Sequence, residues 1–371
     1  MSGLIGIDSD DRVSRAYSKS VRNMLVVLVT LSLASGSAFA AALGMVTDNE
    51  SDELRFFNAD TGVILASVQG APGQIVGDCA ISEDESTGFS SNAGRNISVF
   101  KFSDSASGTK VDFTSIDISN AGVDMSLSPD GKLLVSTGAG NIDEPLSVVD
   151  TALQLEIATV DLFLDHTSAE FCDDGTLLVT TTYGNSFASP FDNAMYDAQV
   201  GPAGELALGG HRLSSGAQPN NGSCAPGSKA GVLLDRSAGL TSFTLPGLRE
   251  VDSVTLSSGT AVAAVFNRVG DRLYVRTTDT VEAFDFNPFT GVMKADWVQQ
   301  VSYSAEYFGI DQIAIDMDSG KLYVDGGRAL LILDPDSGLQ TGSVYAGDAT
   351  GVCFAQRQPH TPIREIVYSA R

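Results

Sequence analysis

The sequence has few of the residues from which common catalytic and metal centres are built. Of its 371 residues, three are histidine, four are cysteine and one is tryptophan. It contains no HExxH zinc motif, no CxxC pair, no CxxCH haem attachment, no GxSxG elbow and no phosphate-binding loop. Multi-histidine copper and iron sites are therefore disfavoured, as are the hydrolases and nucleotide-binding proteins that carry those motifs.

Positive charge is also scarce. The chain has 22 Lys and Arg residues against 46 Asp and Glu residues, a formal net charge of -24. Because binding of a phosphate backbone needs clustered cations, we expect no nucleic-acid partner. The acidic balance favours a small cationic ligand, a metal ion or a protein partner with a basic surface.

The first forty residues have the three parts of a secretory signal peptide. Four cations precede an apolar run at 24–34, and the small-residue site Ala38-Phe39-Ala40 follows. A membrane anchor, the alternative, needs roughly 20 strongly apolar residues. We therefore predict that residues 1–40 are a signal peptide and that the mature protein is periplasmic or secreted, with no membrane span after cleavage.

A pattern of four short strands is clearest over residues 123–162. An apolar strand leads into the turn Ser128–Gly131, where proline fixes φ and glycine accepts a positive φ. The next strands are predicted at Lys132–Thr137, Leu146–Asp150 and Leu155–Val160, since each is rich in β-branched residues and bounded by turn residues.

Degenerate copies of this unit recur along the chain. The predicted turn glycines fall at 131, 175, 231, 270 and 320, a mean spacing of about 47 residues. Four-stranded sheets of this length must stack on copies of themselves, and a radial stack that closes is a β-propeller. Residues 41–371 hold about seven such units. A β-sandwich, the alternative, would not explain the period.

The two ends of the repeat array are complementary. The first unit begins at a second strand, Leu43–Thr47, and the segment Thr350–Ala355 resembles a lone innermost strand. We predict an all-β, seven-bladed β-propeller of four-stranded antiparallel blades over residues 41–357, closed by this C-terminal strand. Residues 358–371 are a predicted C-terminal tail.

The motifs SPDGKLLVST and LSVVDTALQLEIATV resemble the repeat of secreted YVTN-type seven-bladed propellers. LRFFNADTGVILASV and RALLILDPDSGLQTGSV are similar to the second half of that repeat, so the resemblance extends over about residues 43–356. It implies the same fold and says little about activity, because the architecture carries ligand binders, lactonases, lyases and dehydrogenase subunits.

The even count of four cysteines is compatible with disulfides in an exported protein. Alignment on the repeat places Cys79 and Cys353 on innermost strands of blades 2 and 1, and places Cys172 and Cys224 at comparable depth in blades 4 and 5. Because neighbouring blades bring their inner strands together, we predict the disulfides Cys79–Cys353 and Cys172–Cys224. Four buried thiols are the alternative that the sequence leaves open.

The loops around one mouth of the predicted channel carry acidic residues. Carboxylates with backbone carbonyls suit a hard cation such as Ca²⁺ or a cationic ligand, although an acidic protein carries acids on every loop. Asp78 and Asp124 align at the starts of innermost strands and are the predicted metal ligands. The predicted ligand-binding residues of this funnel face are Asp48, Asp78, Asp124, His166, Glu170, Asp279 and Arg328.

The stretch from Tyr183 to Gly222 lengthens the fourth unit beyond the repeat. Its aromatic residues favour a lid or a docking surface, and a tolerated surface elaboration is the alternative. Arg95 and Arg328 are the cations that we assign to the funnel loops.

Because no nucleophile–base pair can be assembled from these residues, we predict an exported binding or interaction protein, monomeric or part of a hetero-complex. One alternative is the heavy subunit of a quinoprotein amine dehydrogenase-like complex, in which a separate small chain carries the cofactor. Another is a lactonase- or lyase-like propeller enzyme with a carboxylate-bound divalent cation. The sequence identifies no cofactor, and Ca²⁺ is the candidate metal.

Overall fold

The computed structural model describes residues 42–48, 51–69, 77–92, 94–105, 108–138, 144–161, 165–182, 193–214, 219–227, 229–301, 312–344, 347 and 349–355. These residues form seven antiparallel sheets of four strands each. The predicted signal peptide and the predicted tail at 358–371 lie outside this part of the chain. Within it, no helix is long and apolar enough to cross a membrane.

Each sheet is one blade, with its strands in order from the axis to the rim. Blade 1 has β1 (Leu43–Asp48), β2 (Glu53–Asn58) and β3 (Ile64–Gln69) as its outer three strands. Blade 2 has β4 (Cys79–Ile81), β5 (Thr87–Asn92), β6 (Asn96–Ser105) and β7 (Gly108–Asp117). Blade 3 has β8 (Gly122–Leu127), β9 (Leu133–Gly138), β10 (Leu146–Asp150) and β11 (Leu155–Val160).

The next two blades follow the same plan. Their strands are β12 (Asp165–Phe171), β13 (Thr176–Thr182), β14 (Ala194–Val200) and β15 (Leu206–Ser214) in blade 4, and β16 (Pro219–Cys224), β17 (Ala230–Asp235), β18 (Gly239–Thr244) and β19 (Arg249–Thr255) in blade 5.

The last two blades and the closing strand complete the ring. Blade 6 has β20 (Ala261–Phe266), β21 (Arg272–Thr277), β22 (Thr280–Phe286) and β23 (Met293–Gln300). Blade 7 has β24 (Ile313–Ile315), β25 (Leu322–Asp325), β26 (Leu330–Leu333) and β27 (Gln340–Val344). The last strand, β28 (Ala349–Phe354), is the innermost strand of blade 1.

The C-terminal strand closes the ring, as the sequence predicted. β28 pairs antiparallel with β1, and Cys353 lies opposite Met45. The adjacent residue Ala355 makes an isolated bridge to Ile81 of blade 2. The innermost strands contact one another in the order β28, β4, β8, β12, β16, β20, β24 and back to β28. Seven blades around one axis are therefore confirmed.

The hydrophobic core is divided among the seams between blades. Among the described residues, the buried apolar side chains form seven clusters, and each cluster joins two neighbouring blades. Between blades 1 and 2, for example, Phe56 packs edge-to-face against Phe100 and Phe102. Because each strand presents alternate side chains to its two faces and the ring is closed, every blade contributes to two clusters.

Both predicted disulfides are present. Cys79 is bonded to Cys353 with the Cα atoms 5.8 Å apart, and Cys172 is bonded to Cys224 with the Cα atoms 5.4 Å apart. The first bond ties the closing strand to blade 2, and the second ties blade 4 to blade 5. Neither pair is a pair of free thiols.

One turn assignment was wrong. Gly231 lies inside β17, where an added Cβ would be 2.5 Å from the carbonyl oxygen of Ser223 and 2.6 Å from the Phe243 ring. In the turn before β17, the residue with positive φ is Gly227, at 60°. Gly231 is thus required by close packing within the sheet rather than by turn geometry.

The predicted insertion in blade 4 is shorter than expected. Residues 209–214 belong to the outermost strand β15, and residues 219–222 belong to β16, the innermost strand of blade 5. The composition of 219–222 was misleading because short side chains suit a strand packed tightly near the axis. Residues 183–192 and 215–218, and with them most of the aromatic residues that favour a lid, lie outside the described residues.

Candidate binding site at the channel mouth

The blade topology places two kinds of connection on one face of the ring. Because the four strands alternate in direction, the turn between the second and third strands lies at the same end as the crossover to the next blade. We call this end the upper face, and the end with the other two turns the lower face. Asp48, Asp279 and Arg328 lie in or next to upper-face turns.

An upper ring of seven equivalent residues surrounds the axis just below the upper face. Strand register defines its members, in blade order, as Gly351, Asp78, Asp124, Ser168, Asn221, Ala263 and Gln312. Five of the seven are polar, and all five are buried. The structure therefore brings together the two predicted metal ligands, Asp78 and Asp124, on neighbouring innermost strands.

The two carboxylates of the upper ring bind backbone amides of the next blade. Oδ2 of Asp78 accepts a hydrogen bond of 3.3 Å from the N–H of Met125, and Oδ2 of Asp124 accepts one of 2.7 Å from Ala169. An innermost strand is the edge of its sheet, so those of its N–H groups that do not face the second strand need partners from outside the sheet. These carboxylates supply such partners across the seams.

Polar contacts continue around the upper ring beyond the carboxylates. The Ser168 hydroxyl donates a hydrogen bond of 3.1 Å to Oδ1 of Asn221. The Asn220 amide donates one of 2.8 Å to the carbonyl of Ala261. In the parts of the chain that the structure describes, no group of three or more His, Cys, Asp or Glu residues could hold a metal ion. The Ca²⁺ site stays a prediction, for which the structure provides two carboxylates.

Glu170 does not lie in the upper ring. It sits two residues further along β12 than Ser168, in a lower ring with Ser126 and Ser223. These residues line a cavity of about 100 Å³ in the channel, together with apolar side chains such as Met125 and Ile313. The channel therefore becomes narrow and mostly apolar below the polar ring, with Glu170 as its acidic side chain.

Two funnel residues are held by partners on the rim of the upper face. The buried carboxylate of Asp48 is 3.2 Å from the Arg55 guanidinium and accepts a hydrogen bond of 2.7 Å from the Ser51 hydroxyl. Arg95 is 3.3 Å from the buried Glu144 carboxylate. These contacts fix the local turns and occupy the carboxylates of Asp48 and Glu144. Both carboxylates are therefore less available to a ligand than an unpaired loop carboxylate would be.

Arg276 is a buried cation that the sequence analysis missed. It lies in β21, two residues after Tyr274 on the same face, and donates a hydrogen bond of 3.1 Å to the carbonyl of Asp325. Burial lowers the pKa of Arg276 to about 10, and the negative charges of Asp325 and Asp279 oppose that shift. The sequence feature that could have revealed Arg276 is an arginine at a strand position whose alternation with its neighbours predicts a buried side chain.

The remaining three predicted site residues lie outside the upper ring. Asp279 is half-buried next to Arg276, in the turn before β22, and its backbone N–H donates to the Thr277 hydroxyl at 3.2 Å. Arg328 is exposed in the turn between β25 and β26. The backbone of His166 lies in β12 opposite Thr181; its side chain is outside the described residues. The structure brings none of these three into the upper ring.

Solved structures with the same ring differ widely in sequence. A protein of unknown function from Desulfotomaculum acetoxidans matches with a TM-score of 0.74 at 19% identity, over 85% of this chain and 99% of that one. The periplasmic gluconolactonase of Pseudomonas aeruginosa matches with a TM-score of 0.67 at 16% identity, over 85% and 99%. A dihydro-heme d1 dehydrogenase matches with a TM-score of 0.58 at 11% identity, over 86% and 77%.

Identities this low show a shared fold and no shared activity. No protein-family model matches the chain, and no curated protein matches it, so the resemblance to YVTN-type propellers stays a prediction. What the comparisons and the coordinates establish together is a seven-bladed β-propeller with gluconolactonase-like structural neighbours.

Proposed function

We propose that the protein is an exported binding module that takes a cationic ligand at the mouth of its channel, on the upper face. The observation that carries this proposal is the upper ring, with Asp78 and Asp124 on adjacent strands next to the axis. The formal charge of -24 favours the approach of cations to such a funnel. Export is supported by the two disulfides, which persist in oxidising compartments.

The ligand would meet a layered site. Each of the two carboxylates already accepts a backbone hydrogen bond, and a carboxylate can accept from more than one donor. The amide of Gln312 and the hydroxyl of Ser168 belong to the same ring and offer further polar contacts. Below the ring the channel narrows to a mostly apolar cavity of about 100 Å³ whose lining includes Glu170.

The test is calorimetric titration of the mature protein with Ca²⁺ and, separately, with tetramethylammonium. Asp124→Asn keeps an acceptor oxygen for Ala169 and removes the charge, so it should weaken binding of the cation by roughly ten-fold. Ser126→Ala is the matched control, because the Ser126 hydroxyl also accepts from the next blade, at 2.9 Å from the nitrogen of Phe171, and carries no charge. Equal affinities in Asp124→Asn and the parent protein would refute the proposal.

A second candidate is a lactone hydrolase. Its support is the likeness in fold to the periplasmic gluconolactonase of Pseudomonas aeruginosa. A funnel carboxylate would then have to act as the base that activates water, with or without a divalent cation. Hydrolysis of glucono-lactone above its spontaneous rate, lost in Asp124→Asn and retained in Ser126→Ala, would favour this candidate over simple binding.

A further inference from the structure

A buried hydroxyl lies directly behind one carboxylate of the channel mouth. Thr137 of β9 is the strand neighbour of Asp124 in β8, and it is 1% exposed. Residues directly opposite in an antiparallel pair point to the same face of the sheet, with Cβ atoms about 5 Å apart. That face is turned towards blade 4, because Asp124 contacts Ala169 and Val135 packs in the cluster between blades 3 and 4.

Thr137 is the exception among the hydroxyl residues at this level of the ring. In blades 1, 2 and 4 the equivalent hydroxyl donates to a backbone carbonyl in or next to an innermost strand, at 3.0 to 3.4 Å; these residues are Thr47, Ser91 and Thr180. The Thr137 hydroxyl has no hydrogen-bond partner among the described residues. Because a buried polar group without a partner costs free energy, such a hydroxyl beside a carboxylate is the arrangement expected where a ligand supplies the missing partner.

Ser168 adds a further oxygen next to Asp124. It is the next residue of the upper ring and adjoins Ala169, whose N–H is bonded to the Asp124 carboxylate. The Ser168 hydroxyl donates a hydrogen bond of 3.1 Å to Asn221, so towards other groups it acts as an acceptor. One carboxylate and two hydroxyl oxygens thus lie at the inner upper end of blades 3 and 4.

Three acceptors match the three N–H donors of a primary ammonium group. A tetraalkylammonium ion has no N–H group and is held by aromatic faces, and none of the seven upper-ring residues is aromatic. Ca²⁺ takes roughly six to eight oxygen ligands, and no group of three or more His, Cys, Asp or Glu residues forms in the ranges that the structure describes. These differences favour a cation that donates hydrogen bonds.

The cavity below the ring can hold the remainder of such a ligand. Met125 and Ser126, which follow Asp124 in β8, line this cavity of about 100 Å³. Its lining is mostly apolar, so a short alkyl chain suits it. As a refinement that rests on the proposed function, we propose that the ligand is a short primary alkylamine and that the Thr137 hydroxyl accepts a hydrogen bond from its ammonium group.

The test is calorimetric titration of the mature protein with ethylammonium and, separately, with tetramethylammonium. Thr137→Val keeps the shape of the side chain and removes the hydroxyl. We expect it to weaken ethylammonium binding about five-fold, the effect of one hydrogen bond, and to leave tetramethylammonium binding unchanged. Thr137→Ser, which keeps the hydroxyl, should bind ethylammonium as the parent protein does.

Ser136→Ala is the matched control. Ser136 precedes Thr137 in β9, is also buried and has no hydrogen-bond partner among the described residues. It faces blade 2 instead, since Leu134, two residues earlier, packs in the cluster between blades 2 and 3. Its replacement should leave both affinities unchanged, and equal weakening by Ser136→Ala and Thr137→Val would overturn the assignment.

Thermal melting of Thr137→Val without ligand gives a second readout. Because the hydroxyl has no partner to lose among the described residues, its removal should not lower the melting temperature. A lower melting temperature than that of the parent protein would show that the hydroxyl has a structural role, and would count against the proposal.

The titrations separate this inference from the proposed function. If Asp124→Asn weakens ethylammonium binding but Thr137→Val does not, the channel mouth binds cations and the role of Thr137 is refuted. Tighter binding of tetramethylammonium than of ethylammonium would refute the ammonium assignment. If neither cation binds, or if Asp124→Asn binds both as the parent does, the proposed function fails and this inference fails with it.

Discussion

The Oδ2 atom of Asp124 lies 2.7 Å from the backbone nitrogen of Ala169, across the seam between blades 3 and 4. The carboxylate is 6% exposed, and it satisfies an N–H group on the inner edge of the next sheet. Asp78 makes the same contact to Met125 one seam earlier, at 3.3 Å. In a propeller every innermost strand is such an edge, so part of the polar lining of the channel mouth stabilises the ring itself.

Removal of the Asp124 carboxylate should therefore destabilise the fold. We expect Asp124→Ala to lower the free energy of unfolding by about 1–3 kcal/mol, because the N–H of Ala169 loses a buried partner. Asp78→Ala should cost less, since its hydrogen bond is longer. Urea denaturation measures both. Asp60→Ala, at an exposed turn position, is the control; if it costs as much as Asp124→Ala, the edge contact contributes nothing.

The two disulfides should contribute unequally. Cys79–Cys353 spans 274 residues and Cys172–Cys224 spans 52. On the chain-entropy model, the longer loop restricts the unfolded chain more, by roughly 1.5 kcal/mol. The double variant Cys79→Ala, Cys353→Ala should therefore melt at a lower temperature than Cys172→Ala, Cys224→Ala under non-reducing conditions. The reverse order would show that closure by β28 does not depend on its covalent link.

Stability should decline at alkaline pH because of buried tyrosines. Burial raises the pKa of Tyr323 above its ordinary value of 10.0, and the charge of Asp316 adds to the shift. The folded state thus retains a proton that the unfolded state releases. Its stabilising effect is complete below about pH 10 and is lost as pH rises towards the folded pKa, by up to about 1.4 kcal/mol per pH unit for one group.

Tyr323→Phe separates this effect from packing. The Tyr323 hydroxyl donates to the carbonyl of Ala59 across the seam between blades 7 and 1, so the variant should lose about 1–2 kcal/mol at pH 7. Above pH 10 its free energy of unfolding should fall less steeply than that of the parent. Parallel curves from pH 9 to 11.5, measured by urea denaturation, would contradict the assignment (the pH range follows from the ordinary tyrosine pKa).

Much of the fold could be predicted from local sequence patterns. The unit at 123–162 predicted its third and fourth strands at Leu146–Asp150 and Leu155–Val160, where the structure has β10 and β11. Repeats without the glycine signal were harder to recognise. In blade 2 the turn before β5 has Glu85 at a φ of 55°, so no glycine marks it. In blade 5 Gly231 misled because a glycine required by packing looks the same as one required by a turn.

The site was harder to predict from the sequence than the fold. Asp78 and Asp124 could be aligned because both begin an innermost strand. Glu170 was placed one layer too high, because the residue of β12 equivalent to Asp124 is Ser168, two residues earlier in the chain. Arg276 was overlooked because RLYVRT is typical of any strand with a charged residue.

By itself, the sequence determined the repeating unit, the number of blades and the closing strand, because turn chemistry and strand periodicity are local and recur at a regular interval. It predicted the cysteine pairs but left free thiols open, and the tertiary structure decided between them. The tertiary structure alone decided which carboxylates meet and which are neutralised by a neighbour. Those outcomes depend on distances between residues of different blades, which local turn chemistry and strand periodicity do not specify.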